Sequence, residues 1–310
     1  MKFSNYLAFL SFVIVLGYLT YNEASKQTVQ GGMPEITLDP DLYRLNFPQA
    51  SSLPIPYGID FAGEAVPLEQ SDVLESLDRE LHINTYWHNN TIFLIKRANR
   101  WFPEIEKILQ EEGIPQDFKY IPAIEGQFLN DISPKAAVGF WQIRKSTGIE
   151  LGLEITRDVD ERYDPIKSTK AACKYFRKAY NKFGNWTLAA ASYDRGMSGI
   201  QRALDHQKVD SYYDLMLNDE TSRYVFRILA IKEIIENPGT YGFNIKIEHL
   251  YKPYDLKYLE IDETIPDLVL FARDHGITYK DLKLFNPWLR RDELNVRSGK
   301  QYLIAMPASP

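Results

Sequence analysis

Glu125 is the residue of this chain best placed to move a proton. If residues 120–129 form a helix, the positions three and four away on its face are Ile121, Pro122, Phe128 and Leu129, all apolar. A carboxylate set in such a stripe loses water, which disfavours its charged form and raises its pKa toward the range of a general acid at neutral pH. A core acid paired with an arginine would leave the same pattern, so this residue settles nothing alone. Competing chemistries lack their residues. Histidines 82, 88, 206, 249 and 275 are scattered without ligand spacing, so no metal is expected, and no cofactor motif appears. Cys173, between Ala172 and Lys174 on an expected helix, reads as a small buried residue. Neither a glycine-rich phosphate loop nor a nucleophile elbow is present.

Around Glu125 a series of motifs follows in order. Ile121-Pro122-Ala123-Ile124-Glu125-Gly126 comes first, then Ser133-Pro134, Gly139-Phe140-Trp141-Gln142 and Asp160-Glu161-Arg162-Tyr163-Asp164-Pro165. Ala189-Ala190-Ala191-Ser192-Tyr193-Asp194-Arg195-Gly196 and Glu220-Thr221-Ser222-Arg223-Tyr224-Val225 complete it. Over residues 57–237 this series resembles the lytic murein transglycosylases of the goose-lysozyme-like (SLT) type, and most closely their membrane-bound type D group. Stretches 84–94 and 98–103 are similar to that group's N-terminal helical extension.

The resemblance implies that Glu125 is the sole acid/base in cleavage of the MurNAc–GlcNAc β-1,4 bond of peptidoglycan without water, leaving a 1,6-anhydro end. No second carboxylate stands within the Glu125 motif, unlike the two-carboxylate plan of most glycosidases. Gly139 would let backbone and sugar approach closely, and Phe140 and Trp141 offer apolar faces for packing or stacking. The Gln142 amide both donates and accepts, while the Tyr193 and Tyr224 hydroxyls would hold the Glu125 carboxyl or contact glycan. Core packing competes as an account of each aromatic. Two positions depart from the family: Gly126 stands where serine is usual, and Asp194 where the usual residue is asparagine. A carboxylate at 194 pointing inward would raise the Glu125 pKa further. Together these departures leave a second function open, a catalytically weak glycan-binding scaffold of the envelope.

The elements that must position these residues are mainly helical. Val73, Leu77 and Leu81, then Leu94 and Ala98, recur at helical spacing between residues 72 and 112, and Pro103 is expected to open a helix. Residues 117–129 form the next helix, and Asp164-Pro165 reads as N-cap and first residue of one running to Phe183. Helices over 186–193 and 200–204 are separated by Gly196 and Gly199, and a last one over 221–236 stops at Asn237-Pro238-Gly239. Beyond Tyr251 a strand over 256–261, helices over 265–275 and 279–286 and a strand over 301–306 make a β-α-α-β unit. Its Asp274-His275-Gly276-Ile277 and Leu284-Phe285-Asn286-Pro287 resemble a degenerate LysM module, a structural cap or a glycan binder. The expected organisation is a signal or anchor segment at 1–30, an irregular Pro-rich arm and helical extension at 31–110, a lysozyme-like domain at 111–240 and the LysM-like unit at 255–308.

Composition bounds the rest. With 310 residues, 45% hydrophobic and 25% charged, the chain is ordinary globular material of about two domains. Thirty-six basic against 42 acidic residues give a net charge of −6, which makes nucleic acid an unsuited partner. One cysteine excludes a disulfide framework and a lipoprotein-type N-terminal cysteine. The uncharged run Leu7–Leu19, extended to residues 6–21, is read as an uncleaved membrane anchor, with a cleaved signal as the alternative. Lys2 would stay in the cytoplasm, placing the remainder on the periplasmic side of a bacterial envelope. The 20 tyrosines, 16 phenylalanines and 5 tryptophans, 13% of the chain, suit a neutral sugar polymer as much as they suit a core.

Overall fold

The computed structural model describes residues 51–308. The apolar run at 6–21 and the arm as far as residue 50 lie outside them. Among the described residues no helix is long and apolar enough to cross a membrane. The remaining arm is irregular apart from a small antiparallel hairpin, β1 (Asp60–Phe61) with β2 (Glu64–Ala65). Phe61 is buried against Phe118, and the Ala62 amide donates to Asp117 at 2.7 Å, so the hairpin is fastened to the helical body.

Two long helices follow, α1 (Ser71–Tyr86) and α2 (His88–Glu111). Val73, Leu77 and Leu81 are buried at the expected spacing. Pro103 does not open a helix but sits inside α2. A proline costs an interior helix about 3 kcal/mol, yet Leu94, Ala98, Ile105, Ile108 and Leu109 bury the helix face on both sides of it. That packing carries the chain through.

A 3₁₀ turn (Gln116–Tyr120) leads into α3 (Ile121–Glu125), and α4 (Lys145–Glu150) follows. Then come α5 (Pro165–Phe183), α6 (Trp186–Arg195), α7 (Met197–Gln207), α8 (Asp219–Ser222) and α9 (Tyr224–Glu236). The Asp164 side chain accepts from the amides of Ile166 and Lys167 at 2.8 and 3.0 Å, and Gly184 closes α5 at φ 65°, so both ends carry the caps their residue types favour. Gly196 separates α6 from α7, whereas Gly199 lies within α7. The helix expected over 221–236 is broken at Arg223. α9 is apolar nearly all round, and its Tyr224, Val225, Ile228, Leu229 and Ile234 are buried, which makes it the central rod of the domain, packed against α1.

The C-terminal unit is β3 (Leu256–Ile261), α10 (Leu268–Asp274), α11 (Tyr279–Phe285) and β4 (Tyr302–Pro307). β3 and β4 pair antiparallel, from Leu256 opposite Pro307 to Ile261 opposite Tyr302. A unit this small buries little apolar surface by itself. Val159 of the helical body joins its core, and backbone bonds tie the two together: the Asp160 amide donates to the Trp288 carbonyl at 2.9 Å, and the Arg290 amide to that of Asp158 at 2.7 Å.

Candidate functional site

Glu125 is the last residue of α3. The helix does not continue to residue 129, because Gln127 and Phe128 take φ of 50° and 55°, the left-handed region that non-glycine residues enter at a cost. Arg97 of α2 holds this turn by donating Nε to the Gln127 carbonyl at 2.7 Å. Phe128 still packs inward, but Leu129 turns out to solvent, so the apolar surroundings of Glu125 are assembled from other elements.

The Tyr224 hydroxyl, at the start of α9, donates to Glu125 Oε1 at 2.8 Å across 99 residues of sequence. Arg227, one turn on, donates Nη2 to the Ile124 carbonyl at 3.0 Å. Among the described residues no salt bridge reaches Glu125, so it is not the core acid of an arginine pair. Desolvation raises its pKa most; the Tyr224 hydrogen bond and Arg227 pull the other way, and Asp194 and Glu220 push it up again. The balance lies at about 7, against an ordinary 4.5. Near neutral pH the group is therefore divided between a proton donor and a proton acceptor.

Asp194, at the end of α6, does face this site, and its effect on Glu125 has the sign expected of it. Its Oδ2 accepts from the Thr221 hydroxyl at 2.6 Å, which holds the carboxylate toward α8. Burial raises its own pKa as well. Thus two carboxylates that lie far from Glu125 in sequence, Asp194 and Glu220, come close enough to act on it.

The loop 139–142 forms the neighbouring wall, and here the structure changes several expected roles. Trp141 is fully buried, its indole Nε1 donating to Thr169 Oγ1 at 2.8 Å, and Phe140 is buried against Trp101 and Phe128. Neither ring presents a face to a sugar; both are core. Gly139 has φ 77°, and a Cβ there would meet the Arg162 carbonyl oxygen at 2.2 Å. The close approach it permits is to protein backbone. Gln142, at φ 47°, directs Nε2 to the carbonyls of Gly139 (2.8 Å) and Asp131 (3.2 Å), which stiffens the loop. The Tyr193 hydroxyl donates to the Trp141 carbonyl at 2.7 Å, so it holds this loop, while Tyr224 alone of the two tyrosines bonds the acid.

Beneath the loop lies the Asp160–Tyr163 motif. Arg162 pairs with Asp160 at 2.6 Å, both buried, and donates Nη1 to the Ile143 carbonyl at 3.2 Å. Its role is to brace the 136–143 backbone. Gly126 is equally constrained: a Cβ would stand 2.7 Å from the Gly139 oxygen and 2.8 Å from that of Phe140. The small residue after Glu125 matches a loop that has closed over it. Sequence reasoning gave no role to Arg97, Thr221 or Arg227. Thr221 lies within the Glu220–Val225 motif, and Arg227 is one helical turn from Tyr224, a spacing that could have flagged it. Cys173 is buried and its thiol is pushed up to about 12, consistent with an inert core residue.

Residues 103–215 match the family model described as the transglycosylase SLT domain, and residues 257–310 match the soluble lytic transglycosylase C-terminal LysM-like domain. Over 242 residues the chain is 28% identical to membrane-bound lytic murein transglycosylase D of Escherichia coli K12, an alignment covering 76% of this chain and 52% of that protein. The chain thus spans about half the length of the curated relatives it matches. A putative tributyltin chloride resistance protein of Alteromonas sp. is 28% identical over 114 residues, 36% of this chain and 55% of that one. Among solved structures, the 70 kDa soluble lytic transglycosylase of Escherichia coli aligns at a TM-score of 0.40 and 16% identity, over 57% of this chain and 33% of that one. An inactive mutant of lytic transglycosylase Slt from Pseudomonas aeruginosa aligns at 0.35 and 18%, over 51% and 26%.

Proposed function

We propose, from its matches to the transglycosylase SLT and LysM-like domain models and its 28% identity to membrane-bound lytic murein transglycosylase D, that the chain is a peptidoglycan lytic transglycosylase with Glu125 as its single acid/base. Protonated Glu125 gives its proton to the glycosidic oxygen as the MurNAc C1–O bond breaks. The C6 hydroxyl of the same sugar then bonds to C1 and returns its proton to the Glu125 carboxylate, so the 1,6-anhydro end forms without water and the acid is regenerated. The observation that carries this reading is a desolvated Glu125 with a pKa of about 7, held by Tyr224, since one group must serve as acid and then base at the same pH. Tyr193 and Gln142 act as positioning residues for the loop beside it, with the Gln142 amide oxygen left for a donor on the sugar.

We further propose that the chain acts in the bacterial envelope, on the periplasmic side, with the apolar run at 6–21 as its inner-membrane anchor. Purified protein incubated with murein sacculi should release 1,6-anhydro-muropeptides by mass spectrometry, and Glu125→Gln should abolish them. Products with ordinary reducing ends would instead make Asp194 or Glu220 the second carboxylate of a hydrolase. Sacculus binding with no product would leave only a glycan-binding scaffold.

A further inference from the structure

Of the five tryptophans, Trp87 alone is exposed, at 57%; Trp141 and Trp288 are buried and Trp101 and Trp186 are half-buried. It stands at the junction of α1 and α2, on the rim of a cavity of about 360 Å³ whose other walls include Ile83, Asn84, Glu220, Arg223 and Arg227. That cavity adjoins the Glu125 site through shared residues. Arg227 touches the Ile124 carbonyl, Arg223 just before α9 and Arg227 within it lie on either side of Tyr224 along the chain, and Glu220 acts on the Glu125 carboxyl. Its polar wall is built in advance. Buried Glu80 holds Arg223 Nε at 2.6 Å, and Arg227 is fixed by its backbone bond, so neither guanidinium must be ordered by a ligand. A flat apolar ring beside fixed guanidinium, carboxylate and amide groups is how proteins receive a sugar, whose ring carbons cover the aromatic face while its hydroxyl and acetamido groups meet the donors and acceptors.

We propose that Trp87 and this cavity form an additional saccharide-binding subsite for an N-acetylated glycan strand, supplied by the α1–α2 extension and lying beyond the subsite at Glu125. It rests on the reading of the chain as a glycan-cleaving enzyme, and it lies outside the segment 103–215 that carries the shared domain. The subsite gives the enzyme a preference for long strands, because a short saccharide occupying only the Glu125 site never reaches Trp87.

The test uses the full chain carrying Glu125→Gln, so that nothing is turned over, titrated calorimetrically with the β-1,4-linked hexamer and dimer of N-acetylglucosamine. Trp87→Ala should weaken hexamer binding about ten-fold, equivalent to about 1.4 kcal/mol, with dimer binding unchanged and Trp87→Phe in between. In the protein retaining Trp87, the hexamer should also shield part of the tryptophan emission from acrylamide. Trp87 is exposed, so the alanine variant should keep its melting temperature, and that measurement separates lost binding from lost fold. Hexamer binding that is absent, or equal in the presence and absence of Trp87, overturns the subsite. The two readings fail separately. Sacculus cleavage with Trp87-independent hexamer binding removes the subsite alone, whereas Trp87-dependent binding without anhydro products removes the transglycosylase reading alone.

Discussion

Replacing Glu125 by glutamine should stabilise the protein at alkaline pH, by an amount fixed by the burial of the carboxyl. Glu125 titrates near 7 in the folded chain and at about 4.5 when its surroundings are lost. The folded state therefore holds the proton more tightly. The stability this gives is fully present below about pH 4.5, declines between 4.5 and 7, and is gone above 7. The difference of about 2.5 pKa units, at about 1.36 kcal/mol each, corresponds to about 3 kcal/mol. Glutamine is neutral throughout, and its amide oxygen can still accept from Tyr224. The gain of Glu125→Gln over the native chain should thus be smallest at pH 4.5 and grow by up to about 3 kcal/mol by pH 8, about 6–12 °C in melting temperature for a domain of this size. Urea unfolding of both proteins at pH 4.5, 6 and 8 measures it, since groups far from the site titrate alike in the two and cancel. A difference that stays flat with pH would mean that the carboxyl is already charged and hydrated in the folded protein, and an acid/base role resting on its raised pKa would fall with it.

Other substitutions probe the same site. Tyr224→Phe removes the hydrogen bond that favours the Glu125 carboxylate, so the alkaline limb of the pH–rate profile should move up by about one to two units, in line with about 1.5–3 kcal/mol for a hydrogen bond to a charged group. Asp194→Asn removes a negative charge that raises the Glu125 pKa, so that limb should move down by a few tenths of a unit; no movement would show that Asp194 is neutral or screened. Gly126→Ser should destabilise by about 1–3 kcal/mol in urea melts without raising turnover, because its Cβ has no room against the 139–140 backbone. Gly139→Ala should cost more still, since it combines a positive φ with contact on the Arg162 carbonyl, and a melting temperature equal to the native one would contradict that packing.

Amino-acid sequence alone determined whatever depends on neighbours along the chain. The Asp164 cap, the buried spacing of Val73, Leu77 and Leu81, and the β-α-α-β order of the C-terminal unit follow from local propensity and periodicity, and the structure reproduces them. The apolar stripe read around Glu125 was legible only in part: Ile121, Pro122 and Phe128 are buried, but the helix ends at Glu125 and Leu129 is exposed. Local pattern misled where a distant contact outweighed it. Pro103 stayed inside a helix because that helix is packed on both sides, and α3 ended at Glu125 in a left-handed turn braced from α2 by Arg97. Only the tertiary structure decided that Trp141 and Phe140 are core, that Gly126 is small for the Gly139–Phe140 backbone and Gly139 for that of Arg162, and that Tyr224, not Tyr193, bonds the acid. It alone sets the acidity of Glu125, because desolvation and the fields of Asp194, Glu220 and Arg227 depend on distances between segments that the chain order does not contain.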